Sequence, residues 1–334
     1  MIDIKEAALH FFDANSISEV YSTTPLNLNK SMLYSYLEHH LARGLKDPSA
    51  CQAQFDGMSP VPDKVSALLN GEQTFLDFSK WMAELIFSEI KNTDSENSYD
   101  FIACRFSDGL NKYVAFLVIA GKDGFIHHVD HDDQGNPSTT ITVQHALMPQ
   151  PTQRVKGYAF INERDLGIRM VDVKLKGIDG NTQLFEEVVL GCYPELSSRQ
   201  AYKEIRQVTL AVADTYSQDP VEAMARAKEY VAKNAEQSDT ISTRALAEKA
   251  FPNNAQMQSS FMGEVTLRNM SETLGLERDF AIKQTSMHKL ETDAGVVLNI
   301  PATIYNDKDY VDIHVEGDGT TTITLKNIGQ LTSK

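Results

Sequence analysis

At 334 residues, with 42% hydrophobic and 23% charged residues, the chain has apolar material for more than one core and lacks the composition of a disordered polymer. Its formal net charge of -15 excludes a protein whose whole surface wraps a polyphosphate, because that affinity comes from lysine and arginine displacing counterions. A membrane span is not expected either, since the longest apolar run, Val114 to Ala120, falls far short of the ~20 residues a bilayer requires.

The opening MIDIKEAALHFF carries Asp3 and Glu6 where a cleaved export signal needs a positive start and an unbroken apolar run. Residues 3–12 and 17–24 alternate apolar and polar positions, which predicts a strand pair with Asn15-Ser16 near the turn. From Asn29, the positions Met32, Leu33, Tyr36, Leu37, His40 and Leu41 recur at helical spacing, with Gly44 as the expected stop. A proline-rich connection, Ser59-Pro60-Val61-Pro62, then leads to a second helix with an apolar stripe of Phe75, Phe78, Met82, Leu85, Ile86 and Ile90. Residues 99–176 change character to short β-branched and aromatic runs. Asp108-Gly109, Asp123-Gly124, Gln134 to Pro137 and Asn162 to Asp165 punctuate them, so the pattern reads as an antiparallel meander.

After Asp179-Gly180-Asn181 the pattern turns helical. Asp219-Pro220-Val221-Glu222 is a helix start, Ser242 to Ala250 and Asn254 to Leu274 read as further helices, and Gly275 is the expected close. From Phe280 strands are expected again, with Asp318-Gly319 as a hairpin turn. The fold class is therefore α+β. An antiparallel sheet with flanking helices is expected over 1–185, a helical region over 186–277 and a small β region over 278–334.

Cys51, Cys104 and Cys192 lie far apart and form no C-x-x-C pair, so neither a zinc ribbon nor a redox motif is available and a reducing compartment fits best. The run His127 to Gly135 imitates the first half of a calcium loop through Asp130, Asp132 and Gln134. The twelfth position, which should be glutamate, is Ile141, so a polar hairpin tip is the expectation and no metal is assigned. No nucleophile elbow, metalloprotease motif or phosphate-binding loop occurs, and Cys104 sits in an apolar strand.

Charge is distributed unevenly. Arg154, Lys156, Arg164, Arg169, Lys174 and Lys176 stand against Glu163, Asp165 and Asp172, six cations to three anions. Residues 94–135, by contrast, hold eight acids and three bases. On the helix after Ser197, Arg199, Lys203 and Arg206 fall at i, i+4 and i+7 and share one face, which suits either solvent or a phosphate backbone. Arg226 and Lys233 follow Glu222 and Glu229 by four residues and are expected to pair with them. Thr240 to Glu248, then Asn253-Asn254 and another helix, has helix-turn-helix cadence, but few cations stand on the second helix to hold phosphate.

One resemblance spans nearly the whole chain. Lys289 to Val296, Ile300-Pro301, Tyr305-Asn306-Asp307, Asp318-Gly319-Thr320 and Lys326-Asn327-Ile328 resemble the bacterial 37-kDa nucleoid-associated protein family. So do Ile4 to His10, Phe75 to Ala83, Val173 to Gly177, Leu184-Phe185 and Leu190-Gly191-Cys192 leading into the Arg199 helix. Order and spacing carry the likeness. The resemblance implies a cytoplasmic protein found with the nucleoid, DNA association as its role, no cofactor and no enzymatic activity. It brings no phosphate- or base-binding motif, so the candidate contacts Arg154, Lys156, Arg169, Lys174, Lys176, Arg199, Lys203 and Arg206 rest on charge pattern alone. Direct DNA contact is the leading reading. A protein-interaction scaffold recruited by a partner is the alternative, and an unrecognised enzyme with its foothold at 127–133 is the third. Homo-oligomerisation is left open.

Overall fold

The computed structural model describes residues 1–13, 16–93, 98–131, 134–177, 180–305, 307–317, 319–330 and 332. The expected turn residues Asn15, Asp179 and Asp318, and Asp132 of the calcium-like run, lie outside this set. The chain divides into two compact units, Met1–Glu195 and Leu196–Lys334. Its class is α+β, with antiparallel sheets and helices mixed through the sequence.

In chain order the first unit comprises β1 (Ile2–Asp13), β2 (Ser18–Tyr21), α1 (Ser31–Leu45), β3 (Cys51–Phe55), α2 (Val61–Leu69), α3 (Phe75–Lys91), β4 (Tyr99–Asp108) and β5 (Asn111–Ala120). It continues with β6 (Lys122–His131), β7 (Pro137–Leu147), β8 (Gly157–Asn162), β9 (Ile168–Val171), β10 (Lys174–Gly177), β11 (Gly180–Gln183), a π-helix at Leu184–Val189 and β12 (Cys192–Pro194). Eight strands form one antiparallel sheet in the order β12-β3-β9-β8-β5-β4-β1-β2. The meander is therefore interrupted. β5 pairs with β8, and β6–β7 leaves the sheet as its own hairpin.

The sheet is covered on both faces. Alternate side chains of β5 point to opposite sides. Val114, Phe116 and Val118 join the cluster under α2, α3 and the π-helix, where Val65, Phe78, Met82, Ile86 and Phe185 are buried. Ala115, Leu117 and Ile119 join the cluster under α1, against Leu37 and Leu41. This double burial explains why β4 and β5 read as continuous apolar runs. Thr74 caps α3 by accepting from the Asp77 N–H (3.1 Å). The Asp172 carboxylate accepts from the backbone N–H groups of Val173 (2.6 Å), Phe185 (2.7 Å) and Glu186 (2.8 Å), which ties the end of the sheet to the start of the π-helix.

Three local expectations are corrected. Gly44 lies inside α1 and does not stop it. A Cβ there would stand 2.5 Å from Phe160 Cζ, so glycine is required because the helix sits directly on the sheet. The proline-rich connection is itself the start of α2, with Val61 already helical. Asp123-Gly124 is no turn but a register irregularity within β6.

The second unit comprises α4 (Ser198–Thr215), α5 (Pro220–Ala235), β13 (Thr240–Ser242), α6 (Thr243–Ala250), α7 (Ala255–Leu267), β14 (Thr273–Gly275), α8 (Arg278–Thr285), β15 (Met287–Glu291), β16 (Val297–Pro301), α9 (Ala302–Tyr305), β17 (Val311–Val315) and β18 (Thr321–Leu325). Its main core gathers Ile205, Val212, Val231, Leu246, Phe261 and Phe280 from α4 to α8. Ser197 and Gln200 form a capping box on α4, and Asp219 caps α5. The helix that begins at Ala255 ends at Leu267, so Gly275 closes no helix; it pairs with Thr240 in the β13–β14 ladder. Helix α8 stands where Phe280 was expected to open a strand.

Substituting Gly44→Ala should lower stability by about 1–3 kcal/mol despite the better helix propensity of alanine, because the Phe160 ring is fully buried and must move. Thermal unfolding checks this.

His10 gives a second test. Its Nδ1 accepts from the Ser22 N–H (3.2 Å), its Nε2 lies 2.9 Å from Ser79 Oγ, and burial, with Lys80 nearby, pushes its pKa down to about 4. The folded state thus favours the neutral ring. Stability is fully present above the ordinary pKa of 6.5 and is lost as pH falls toward 4, by up to roughly 3 kcal/mol. His40, lowered to about 4 by burial, acts in the same direction, whereas Asp100, raised to about 6 by burial, opposes them over that range. The urea midpoint of His10→Gln should fall less between pH 7 and pH 4.5 than that of the unsubstituted protein, and equal acid sensitivity would refute the assignment.

Candidate nucleic-acid interface

The cations of the 154–176 segment meet different fates. Arg154 pairs with Asp47 (3.6 Å), a buried carboxylate just beyond α1. Lys156 Nζ lies 3.3 Å from Tyr99 Oη and 5.5 Å above the ring centroid. Arg164 pairs with its neighbour Asp165 (3.7 Å). Arg169 donates from Nε to the Gly44 carbonyl (3.1 Å) and from a terminal nitrogen to the Asp47 carbonyl (2.7 Å). The Tyr158 hydroxyl donates to the same Gly44 carbonyl (3.2 Å). Arg169 thus satisfies carbonyls at the C-terminal end of α1, where a cation also complements the helix dipole.

Lys174 and Lys176 differ from these. They occupy alternate positions on β10, so both side chains leave the same face, opposite the buried Leu175, and both are exposed. Neither forms an ion pair with any described residue. The fold therefore divides the six cations: Arg154, Lys156 and Arg169 reach back onto unit 1, Arg164 pairs with its exposed neighbour Asp165, and Lys174 and Lys176 are displayed by the β10–β11 hairpin. Glu163, counted as a local anion in the sequence, is taken up by Arg105 from β4 (3.0 Å).

In the second unit Arg199, Lys203 and Arg206 all lie on the exposed side of α4, while Ala201, Ile205, Val208 and Val212 are buried. The nearest carboxylate on that helix, Glu204, is bound by Arg268 (2.8 Å), which also contacts Gln207 (3.0 Å) and Glu264 (3.3 Å). A fourth cation was missed from the sequence. Lys228 of α5 donates to the Met287 carbonyl (3.1 Å), and burial, followed by the Arg206 guanidinium, pushes its pKa down. A signal for it existed. Among the α5 bases discussed, Arg226 has Glu222 four positions earlier and Lys233 has Glu229, and both pair with them; Lys228 has Met224.

The helix-turn-helix cadence corresponds to α6 and α7, joined by residues 251–254 and flanked by the β13–β14 ladder. Arg244 pairs with Glu272 (3.6 Å), and Arg268, just beyond α7, is held as described. These cations are committed within the unit.

The described part of the run considered as an enzymatic foothold lies on an exposed strand. Residues 122–131 form β6, where His128 Nε2 lies 3.0 Å from Asp130 Oδ1. Among the described residues no three His, Cys, Asp or Glu side chains gather to hold a metal ion. Burial pushes the Cys104 thiol up to about 12, far from a nucleophilic thiolate. A cleft of ≈ 620 Å³ in unit 1 is lined by Gln52, Gln54, Tyr113, Asn162, Asp165 and Arg169. Asp165 Oδ1 accepts from the Gly167 N–H (3.0 Å), and Arg169 is engaged with α1.

Fold and site together define a two-unit α+β protein that displays clustered cations on an otherwise anionic chain. Residues 9–331 match the nucleoid-associated protein YejK family, and the chain belongs to that family. No curated protein matches it at a significant level. Among the described residues no helix is long and apolar enough to cross a membrane.

Arg169→Ala should destabilise the protein by about 1–3 kcal/mol through the lost carbonyl contacts, while Lys174→Ala should stay within about 0.5 kcal/mol. Denaturant titration of both variants separates the anchoring cation from the displayed one.

Proposed function

We propose that the chain binds DNA directly, through a localised cationic surface on α4 and with little sequence preference, and that it acts by binding rather than by catalysis. The observation that carries this reading is the register of Arg199, Lys203 and Arg206: three exposed cations on one helix face, with the adjacent Glu204 drawn away by Arg268. Lys228 extends the same positive area beside Arg206. Lys174 and Lys176 offer a second, smaller contact on the other unit. Membership of a nucleoid-associated family supports the reading.

The net charge of -15 is compatible with it. At physiological ionic strength a charge is screened over about 8 Å, so remote carboxylates weigh little against cations that touch phosphate. Contacts of this kind position a protein on the backbone without reading bases. Neutralising three or four phosphates gives a slope of about −3 to −4 in log affinity against log salt.

Electrophoretic mobility shifts at matched salt test the proposal. The combined reversal Arg199→Glu, Lys203→Glu and Arg206→Glu should weaken duplex binding at least tenfold and flatten the salt slope. Lys174→Glu with Lys176→Glu should have the smaller effect. Undiminished binding by the α4 triple variant removes that face from consideration. Purified protein that binds neither duplex nor single strand at low salt, yet retains a DNA enzyme, replaces direct contact with recruitment by a partner.

A further inference from the structure

Helices α6 and α7, joined by residues 251–254, form a helical hairpin whose ends are tied together. Thr243, at the start of α6, donates from its backbone N–H (2.9 Å) and its hydroxyl (3.0 Å) to the Glu272 carbonyl beyond α7, where the β13–β14 ladder begins. Asn254 caps α7 by accepting from the Met257 N–H (3.1 Å), and Gln258 donates to the Phe251 carbonyl (2.8 Å). Met257, Phe261 and Val265 turn into the core with Leu246 and Ala250 of α6. Helical spacing leaves Gln256, Ser259, Ser260 and Gly263 together on the outward side of α7, and Gln256, Ser259 and Gly263 are exposed. A tied pair of helices with a short turn is the arrangement that sets its second helix into a duplex groove.

We infer that α7 seats in the major groove of duplex DNA while α4 holds the adjacent phosphates, which rests on the α4 contact proposed above and adds the form of nucleic acid it takes. Charge and side-chain chemistry select this occupant. Glu264 is the one ionisable residue of α7, and Arg268 binds it (3.3 Å), so the helix turns no unmatched carboxylate outward. Residues 240–276 hold three bases and three acids, a neutral region in a chain of net charge -15. The outward side offers amide and hydroxyl groups, which suit base edges, and it lacks the aromatic and arginine anchors of a protein interface.

Arg268 also supplies the spatial link. Its guanidinium reaches Glu204 (2.8 Å) and Gln207 (3.0 Å) of α4, so the end of α7 is latched beside Lys203 and Arg206. The cations that α7 lacks thus stand on the neighbouring helix, as phosphate contacts flank a groove-bound element. Gly263 fits the same placement. A Cβ there would meet nothing within 4 Å, and glycine weakens a helix interior relative to alanine, so the fold itself has no use for it. A helix with its side chains is about 10–12 Å across and the groove about 12 Å wide, so glycine on the inserted side lets the backbone come close. Gln256 and two serines read few base edges, so sequence preference stays small while the double-helical form matters.

Mobility shifts at matched salt, on a duplex containing 5-hydroxymethylcytosine and on the same duplex after glucosylation, test the placement, because the added sugars fill the major groove. The full-length wild-type protein should bind the glucosylated duplex about tenfold more weakly, or worse. Gly263→Glu puts a carboxylate into open space on the outward side. It should keep or raise the thermal unfolding midpoint and lose about fivefold or more in affinity for the unglucosylated duplex. Ser66→Glu, the same change of net charge at an exposed position of α2 on the other unit, should bind as the wild type does. Equal wild-type affinity for the two duplexes overturns the assignment. So does a folded Gly263→Glu protein with unchanged affinity, or a Ser66→Glu protein that loses as much. A Gly263→Glu protein that keeps duplex binding but no longer retains a protein partner gives α7 to that partner instead. Wild-type protein that binds neither duplex removes the α4 contact as well, whereas equal binding to both leaves α4 in place and removes α7 alone.

Discussion

An antiparallel sheet whose central strands are apolar on both sides has to be covered twice, and most of the first unit follows from that requirement. β4 and β5 cannot face water with Phe101, Phe116 and Val118 on one side or Ile102, Leu117 and Ile119 on the other. Helix α3, capped by Thr74, brings a broad apolar stripe to the first side. Helix α1 covers the second, and it lies so close that Gly44 is the only side chain size that fits over Phe160. Arg169 and Tyr158 reach from the sheet to the end of that helix, so the layer is held by polar contacts as well as packing.

The strongly patterned segments were legible in the sequence. The helices at Met32 and Phe75, the capped starts at Asp219 and Ser242, and the strands at 99–108 and 111–120 all follow from apolar periodicity and punctuation. What escaped had physical causes. β3 and β12 are five and three residues long, too short for alternation to show. The departure of β6–β7 was invisible because a ribbon alternates as a sheet strand does, and only long-range pairing tells them apart. Gly44 and Gly275 read as stops because glycine's local preference hides whether a neighbouring ring or a ladder partner requires it.

The candidate interface was less legible than the fold, for a related reason. A cation's availability depends on what lies near it in space, and sequence gives only the neighbours along the chain. Arg154 and Arg169 looked as exposed as Lys174, yet both reach back more than a hundred residues, to Asp47. Helical spacing did serve where the partner was one turn away, as for Arg226 and Lys233. The basic region thus resolves into cations that build the protein and cations left facing outward, two populations with the same composition and different consequences for a phosphate.

The sulfur chemistry carries a practical corollary. Cys104 and Cys192 are buried, Cys51 is partly so, and burial pushes the three thiols up to about 12, 12 and 11 respectively. Little thiolate is present near neutral pH, so oxidants and alkylating dyes find poor targets in the native chain. A cysteine introduced on the solvent side could then carry a fluorophore without removing the natural three, giving an optical handle on the intact molecule.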